Sequence, residues 1–271
     1  MRTVQHPAVE GRPLRTGVLM PARDLAVAWS LIALIAVLAW LFTVGQALDM
    51  GVEPGTMGMA LPLFLLLWVA MMAAMMLPSV APVAVTWAKG IARQSTGAVR
   101  AVRTTGFLGG YLLVWGAFGL LAYGGLALTG HLVDDHPDAG HWIGAAAYAL
   151  AGLYQLGPLK YVCLRHCRSP MAQLMHYAGY RPPLRDLRVG LHHGAYCLGC
   201  CWALMLALVP LGVMNVAAMA GLAVLIFLEK LWRYGPQLAR VAGIAFLALA
   251  VVSLFQGWPL PGLQPSGDMG M

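Results

Sequence analysis

All five cysteines of this chain fall in two short stretches, and histidine runs through both. The first, Lys160 to Pro170, reads KYVCLRHCRSP and carries Cys163 and Cys167 as C-x3-C, with His166 between them. The second, Gly190 to Trp202, reads GLHHGAYCLGCCW and carries Cys197, Cys200 and Cys201 as C-x2-C-C behind His192 and His193. A helix advances about 100° per residue, so His193, Cys197, Cys200 and Cys201 share one face. Soft thiolate and imidazole donors at these spacings suit zinc, copper(I) or an iron–sulfur centre. Two cysteine pairs from separate segments can close a four-ligand site. Buried cysteine also serves as a small apolar filler, but the gathering of every cysteine into two stretches argues for chemistry.

A second donor set lies upstream. Trp68 to Pro78 places Met71, Met72, Met75 and Met76 at i, i+1, i+4 and i+5, one continuous thioether stripe. Thioether is a neutral soft ligand that favours copper(I) over zinc or hard cations. Methionine also packs irregular helix interfaces well, so the stripe reads equally as packing and as auxiliary ligation. A third group, His131, His136 and His141 with Asp134, Asp135 and Asp138, suits either capture of a divalent ion or an ordinary solvated loop.

The elements that must hold these residues are membrane helices. The chain has 271 residues, 60% hydrophobic and only 10% charged, whereas a water-covered domain needs roughly 25% charged residues. Its apolar runs are continuous and lack period-2 alternation, which selects helices over a barrel. Hydropathy predicts an all-α, polytopic transmembrane bundle of about seven helices, at 25–48, 60–80, 106–129, 141–158, 191–210, 212–229 and 240–257. The run 191–229 is too long for one ~30 Å crossing at ~1.5 Å per residue, so Pro210 and Gly212 are expected to turn it.

Charge orients the bundle. All 17 Lys and Arg fall in 1–24, 86–105, 159–190 and 229–240, while Asp49, Glu53, Asp134, Asp135, Asp138 and Asp268 fall in the alternate loops. The positive-inside rule then puts the amino terminus in the cytoplasm and the carboxyl terminus outside. The expected organisation is a cytoplasmic segment 1–24, a helical membrane domain 25–257 and an external tail 258–271, with no cleavable signal peptide, because the apolar run 25–48 is long enough to span and stay. The cysteines belong at the cytoplasmic end of the bundle. Reducing conditions there make a structural disulfide unlikely.

Other functions are poorly served. The basic residues form no dense tract for nucleic acid. No Walker-type or dinucleotide glycine loop is present. No Asp or Glu sits at mid-span, where proton-coupled carriers usually place one. Glu229 and Lys230, at the inner end of the sixth predicted span, read first as an interfacial ion pair and second as charges beside the cysteines.

These motifs resemble a bacterial family of integral membrane proteins known as predicted metal-binding. The likeness rests on Trp68, Met71, Met72, Met75, Met76 and Pro78; on Lys160, Cys163, Cys167, Arg168 and Pro170; on His193, Gly194, Cys197, Gly199, Cys200, Cys201, Trp202 and Met205; and on Glu229 with Lys230. The resemblance implies metal binding in a bacterial cytoplasmic (inner) membrane. Residues and resemblance together predict a transition-metal site, copper(I) before zinc or iron–sulfur, ligated by Cys163, Cys167, Cys197, Cys200 and Cys201 or His193. Met71, Met72, Met75 and Met76 would be auxiliary. The role would be metal handling, delivery or uptake rather than catalysis, with the lipid bilayer and a membrane or soluble metal-handling protein as partners and no nucleic acid. The alternatives are a transmembrane thiol–disulfide electron carrier and a non-catalytic assembly subunit.

Overall fold

The computed structural model describes residues 22–50, 55–56, 58–92, 94–136, 138–169, 172, 175–177, 179–180, 184–255 and 260–263. The expected cytoplasmic segment and external tail lie almost wholly outside the described residues, as do Glu53 and Asp268. Among the described residues the fold is helical, without a strand. In chain order the helices are α1 (Ala22–Met50), α2 (Leu61–Ala92), α3 (Gly97–Asp135), α4 (Ala139–Leu156), α5 (Pro158–Cys167), α6 (Arg185–Leu206), α7 (Leu208–Leu211), α8 (Val216–Leu231) and α9 (Gly235–Val252), followed by a 3-10 turn, Pro261–Leu263.

Five of these helices, α1, α2, α3, α6 and α9, are long and apolar enough to cross a membrane. The other two expected spans, 141–158 and 212–229, coincide with α4 (18 residues) and α8 (16 residues). His141, Tyr148, Tyr154 and Gln155 dilute the first, and the second is only about 24 Å long at ~1.5 Å per residue. The reversal expected near Pro210 is present: α7 carries the proline, and Gly212 follows at φ 90°, a backbone state open to glycine.

Two expected boundaries are too short. Helix α2 runs through Pro78 and Pro82 to Ala92, and α3 has 39 residues where 24 were expected. At ~1.5 Å per residue both exceed the ~30 Å hydrocarbon core. Of the added length, 130–135 of α3 lies at one end of the bundle, and most, 81–92 of α2 and 97–105 of α3, lies at the other, which carries Lys89, Arg100 and Arg103. Hydropathy could not register these extensions, because they are helical without being apolar throughout. Asp186, in the first turn of α6, clamps them there. It accepts hydrogen bonds from Trp87 Nε1 at 3.0 Å and Arg103 Nε at 2.8 Å, so one carboxylate joins α2, α3 and α6.

Helix directions follow from the residues that meet. Arg103 faces Asp186, the Phe107 carbonyl faces Gly190, and Tyr111 faces Gly194 and Cys197, so α3 and α6 run parallel. Their approach is close because the contacts are glycines: a Cβ on Gly190 would stand 2.1 Å from the Phe107 carbonyl oxygen. Small residues let membrane helices pack backbone to backbone in this way. Antiparallel pairs are α2 with α3 (Phe64 to Tyr123, Trp68 to Trp115) and α4 with α9 (Tyr148 to Phe246, and Gly243 against Gln155). Helix α6 thus packs against α3, α5 and α4, and its side chains reach α2 and α8 in the core.

Candidate metal centre

Helix periodicity alone brings three thiols together. Cys197, Cys200 and Cys201 lie at i, i+3 and i+4 of α6, are buried, and have Sγ atoms all within 4.8 Å of one another. The Cys200 and Cys201 thiols both donate to the Cys197 carbonyl, at 3.1 and 2.8 Å, which turns them toward a common region. Three sulfurs placed about 2.3 Å from one ion would themselves be about 4 Å apart, so only small adjustments are needed to hold one. Among the described residues no other three cysteine, histidine or acidic donors approach so closely, including those of His131, His136 and His141.

The second cysteine pair comes from α5, which packs across α6. Pro158 at the start of α5 suits the first turn of a helix, where its missing N–H is not needed. Cys163 sits over Gly199: a Cβ added there would stand 2.8 Å from the Cys163 sulfur. The glycine inside the C-x2-C-C motif is therefore the space through which α5 approaches. Cys167 lies one turn on along α5. Both are buried, and the structure holds all five cysteines as free thiols. The two cysteine segments do meet.

The methionine stripe reaches the same place at one residue. All four methionines are buried, and Met76 brings its sulfur to 4.0 Å from Cys201 Sγ. Met72 lies one turn, about 6 Å, farther along α2. His193 is buried one turn before Cys197, stacked against the Phe107 and Tyr111 rings at 6.3 and 6.1 Å, and its Nδ1 has no hydrogen-bond partner. Tyr111 closes the side toward α3, its hydroxyl 3.1 Å from Cys197 Sγ.

The charges around the thiols correct the expected Glu229–Lys230 pair. Adjacent residues on a helix point about 100° apart, and these two turn to different partners. Glu229 pairs with Lys160 of α5 at 2.5 Å and also accepts from Gln155 of α4 at 2.6 Å. Lys160, fully buried, donates in addition to the Cys200 carbonyl at 2.6 Å. Lys230 instead reaches Cys197 Sγ at 3.0 Å and Ser79 Oγ at 3.1 Å, and Ser79 donates to the Met76 carbonyl at 2.9 Å. A buried ammonium needs a counter-charge. Around Lys230 the cysteines are the groups able to supply one. The second sequence reading, charges beside the cysteines, is the one that matches.

A family model described as PpoB2, copper chaperone, matches residues 65–253, a stretch from the methionine helix through α9. The chain belongs to that family. No curated protein and no solved structure matches it. Copper handling by a helical bundle with a thiol cluster agrees with the sequence-based expectation of a metal-binding bacterial family.

Sequence reasoning named the five cysteines, His193 and Met76, all of which surround the cluster. It also named Met71, Met72 and Met75, which are buried on α2 without a described sulfur contact to the cysteines. It missed the roles of Lys160, Gln155, Ser79 and Tyr111. Lys160 carried a signal, a lysine in an apolar setting three residues before Cys163. Tyr111 lies on another helix and carried none. His166, next to Cys167 on α5, stacks on Tyr196 at 3.8 Å. Burial first, then the neighbouring His192 and His176 imidazoles, pushes it down to about 4, so its ring is neutral at physiological pH.

Proposed function

We propose that this protein is a membrane-embedded copper(I) chaperone that holds its cargo on the thiols of α6 and passes it to another metal-handling protein. Cys197, Cys200 and Cys201 are the primary ligands, with Cys163, Cys167 and His193 completing the shell and Met76 as the nearest thioether. Met71, Met72 and Met75 would extend the soft lining outward along α2. The single observation that carries the proposal is the buried convergence of three sulfurs within 4.8 Å in a chain of a copper chaperone family.

The distribution of charge supports an amino-terminal segment 1–24 in the cytoplasm, a membrane domain 25–257 and an external tail 258–271, in a bacterial inner membrane. The thiols then sit toward the cytoplasmic face, where copper is reduced. Sulfur and thioether donors favour copper(I) over zinc. Burial of all five thiols works against a thiol–disulfide electron carrier, whose chemistry needs an attackable sulfur.

Elemental analysis of anaerobically purified protein is the test. The wild type is expected to carry near-stoichiometric copper, and Cys197→Ser with Cys200→Ser to lose it. Undiminished copper in that double variant would remove these thiols from the site.

A further inference from the structure

Three imidazoles that the thiol cluster does not use gather at the same end of the bundle. His166 comes from α5, His176 from the segment that follows it, and His192 from the second turn of α6. Their ring centroids are 5.7 Å (His166 to His192), 5.4 Å (His176 to His192) and 6.3 Å (His166 to His176) apart. The buried Tyr177 hydroxyl is the hub. It is hydrogen-bonded to His166 Nε2 at 3.2 Å and to His192 Nδ1 at 3.1 Å, so two ring nitrogens from different helices address one point. Tyr177 is 1% exposed, while His176 is exposed and the other two rings are partly so. Structural histidines are usually satisfied singly in a core. Here three of the chain's eight histidines share one solvent-facing patch.

The patch opens outward and leads inward. His166 and His176 line one cavity of about 470 Å³, together with Arg165 and Tyr196, and His192 lines a neighbouring one of about 570 Å³ with Tyr180 and Arg188. Inward, the path to the thiols is short on both helices. His166 adjoins Cys167 in the chain. His192, Tyr196 and Cys200 follow at i, i+4 and i+8 along one side of α6, a rise of about 12 Å. The Tyr196 ring is stacked on His166 at 3.8 Å and lies 5.0 Å from the His192 ring.

We propose that His166, His176 and His192 form a second, labile copper site, the station at which the ion enters before ligand exchange moves it to the thiols. The idea rests on the thiol reading above. Imidazole binds copper ions well but less tightly than clustered thiolate holds copper(I), so the step runs downhill from nitrogen to sulfur. No electron moves in this step: Cu⁺ leaves the imidazole nitrogens as it was bound, and the protons displaced from the accepting thiols leave with solvent. Closing the three rings on one ion requires them to turn about their Cβ–Cγ bonds and the Tyr177 hydroxyl to withdraw. A site with partly exposed rings and a displaceable hydroxyl suits transient capture.

The full chain in lipid nanodiscs tests this. With all five cysteines changed to serine, Cu²⁺ is the probe, and its electron paramagnetic resonance spectrum is expected to show nitrogen couplings that disappear on adding His176→Ala and His192→Gln. If the serine background does not fold, Co²⁺ titration of the native chain against the same histidine variant replaces it. Cobalt separates imidazole from thiolate coordination by the absence or presence of sulfur charge-transfer absorption, and the wild type is expected to take up a nitrogen-only ion that the variant lacks. In the native chain the histidine pair of substitutions is expected to slow Cu⁺ loading from a coloured chelator about tenfold, the low end of what losing a metal-positioning group costs, with final copper content unchanged. Absence of the nitrogen-bound probe ion, or equal loading rates, overturns the proposal. Loss of copper from the cysteine variant alongside unchanged loading of the histidine variant leaves the thiol reading standing and removes only the entry site. A nitrogen-bound ion in a protein whose thiols take no copper overturns the thiol reading, and with it the transfer step.

Discussion

Helices α1 and α6 invert the rule that the most apolar segment lies deepest. Helix α1 is the most apolar of the five candidate spans and α6 the least, yet 11% of the apolar stretch of α1 is buried inside the protein against 56% for α6. In water the hydrophobic effect drives apolar surface inward. In the bilayer proposed for this chain that drive would be absent, and a helix would gain nothing by hiding leucine from hydrocarbon. What a membrane interior rewards is close packing between small residues and the mutual satisfaction of polar groups. Helix α6 has both, in Gly190, Gly194 and Gly199 and in its thiols and Asp186. Helix α1 presents Leu31, Leu34, Leu38 and Leu41 outward, packs mainly against α2, and carries no described part of the site.

The sharpest test of the comparison lies in the charges that α6 is packed against. Glu229→Gln keeps the shape of the carboxylate but puts a donating amide nitrogen in place of one of its two acceptor oxygens and leaves Lys160 buried without a counter-charge. A loss of about 3–5 kcal/mol is expected, the cost of breaking a buried pair by removing one partner. It is measured as a fall in the thermal midpoint in detergent, with partial recovery in the double variant Lys160→Met/Glu229→Leu. Unchanged stability of the single variant would mean that water reaches this pair and that the interior is not dry.

A smaller effect is expected where α6 meets α3. Gly190→Ala drives a methyl group into the Phe107 carbonyl and must separate the two helices, at a cost of about 1–3 kcal/mol for overpacking. Because Tyr111 and His193 lie one turn beyond, bound copper should fall together with stability. The same change on α1 supplies the contrast. A Cβ on Gly45 meets nothing within 4 Å, so Gly45→Ala is expected to raise the midpoint slightly, by at most about 1 kcal/mol from helix propensity, with copper content untouched. Equal losses from the two glycines would erase the distinction between an exposed and a packed helix.

Much of the arrangement was legible before any coordinates. The apolar runs located the helices, and the spacing of Cys197, Cys200 and Cys201 assigned them to one face, because i, i+3 and i+4 on a helix are neighbours whatever surrounds it. The resemblance of the methionine, cysteine and histidine motifs to a metal-binding family pointed the same way as the copper chaperone match. The helix ends were less legible. The polar ends of α2 and α3 stay helical because Asp186 ties them together, a contact between residues 83 and 99 positions apart in the chain. Hydropathy contains no term for such a contact. The pairing of Glu229 also escaped: its neighbour Lys230 was the obvious partner by proximity in sequence, whereas helix rotation turned the two residues to opposite tasks.

By itself, then, the sequence determined the local facts: which stretches are helical, which end of each carries positive charge, and that three thiols of α6 stand close together. All of these follow from backbone periodicity and from the cost of placing charge in hydrocarbon. The tertiary structure alone decided that Cys163 slots over Gly199, that Lys230 rather than Glu229 touches a sulfur, and that Tyr177 draws two histidines from different helices to one point. Each of these depends on how far and at what rotation separate helices approach. That is set by the sum of many weak side-chain contacts across the bundle, which no short window of residues contains.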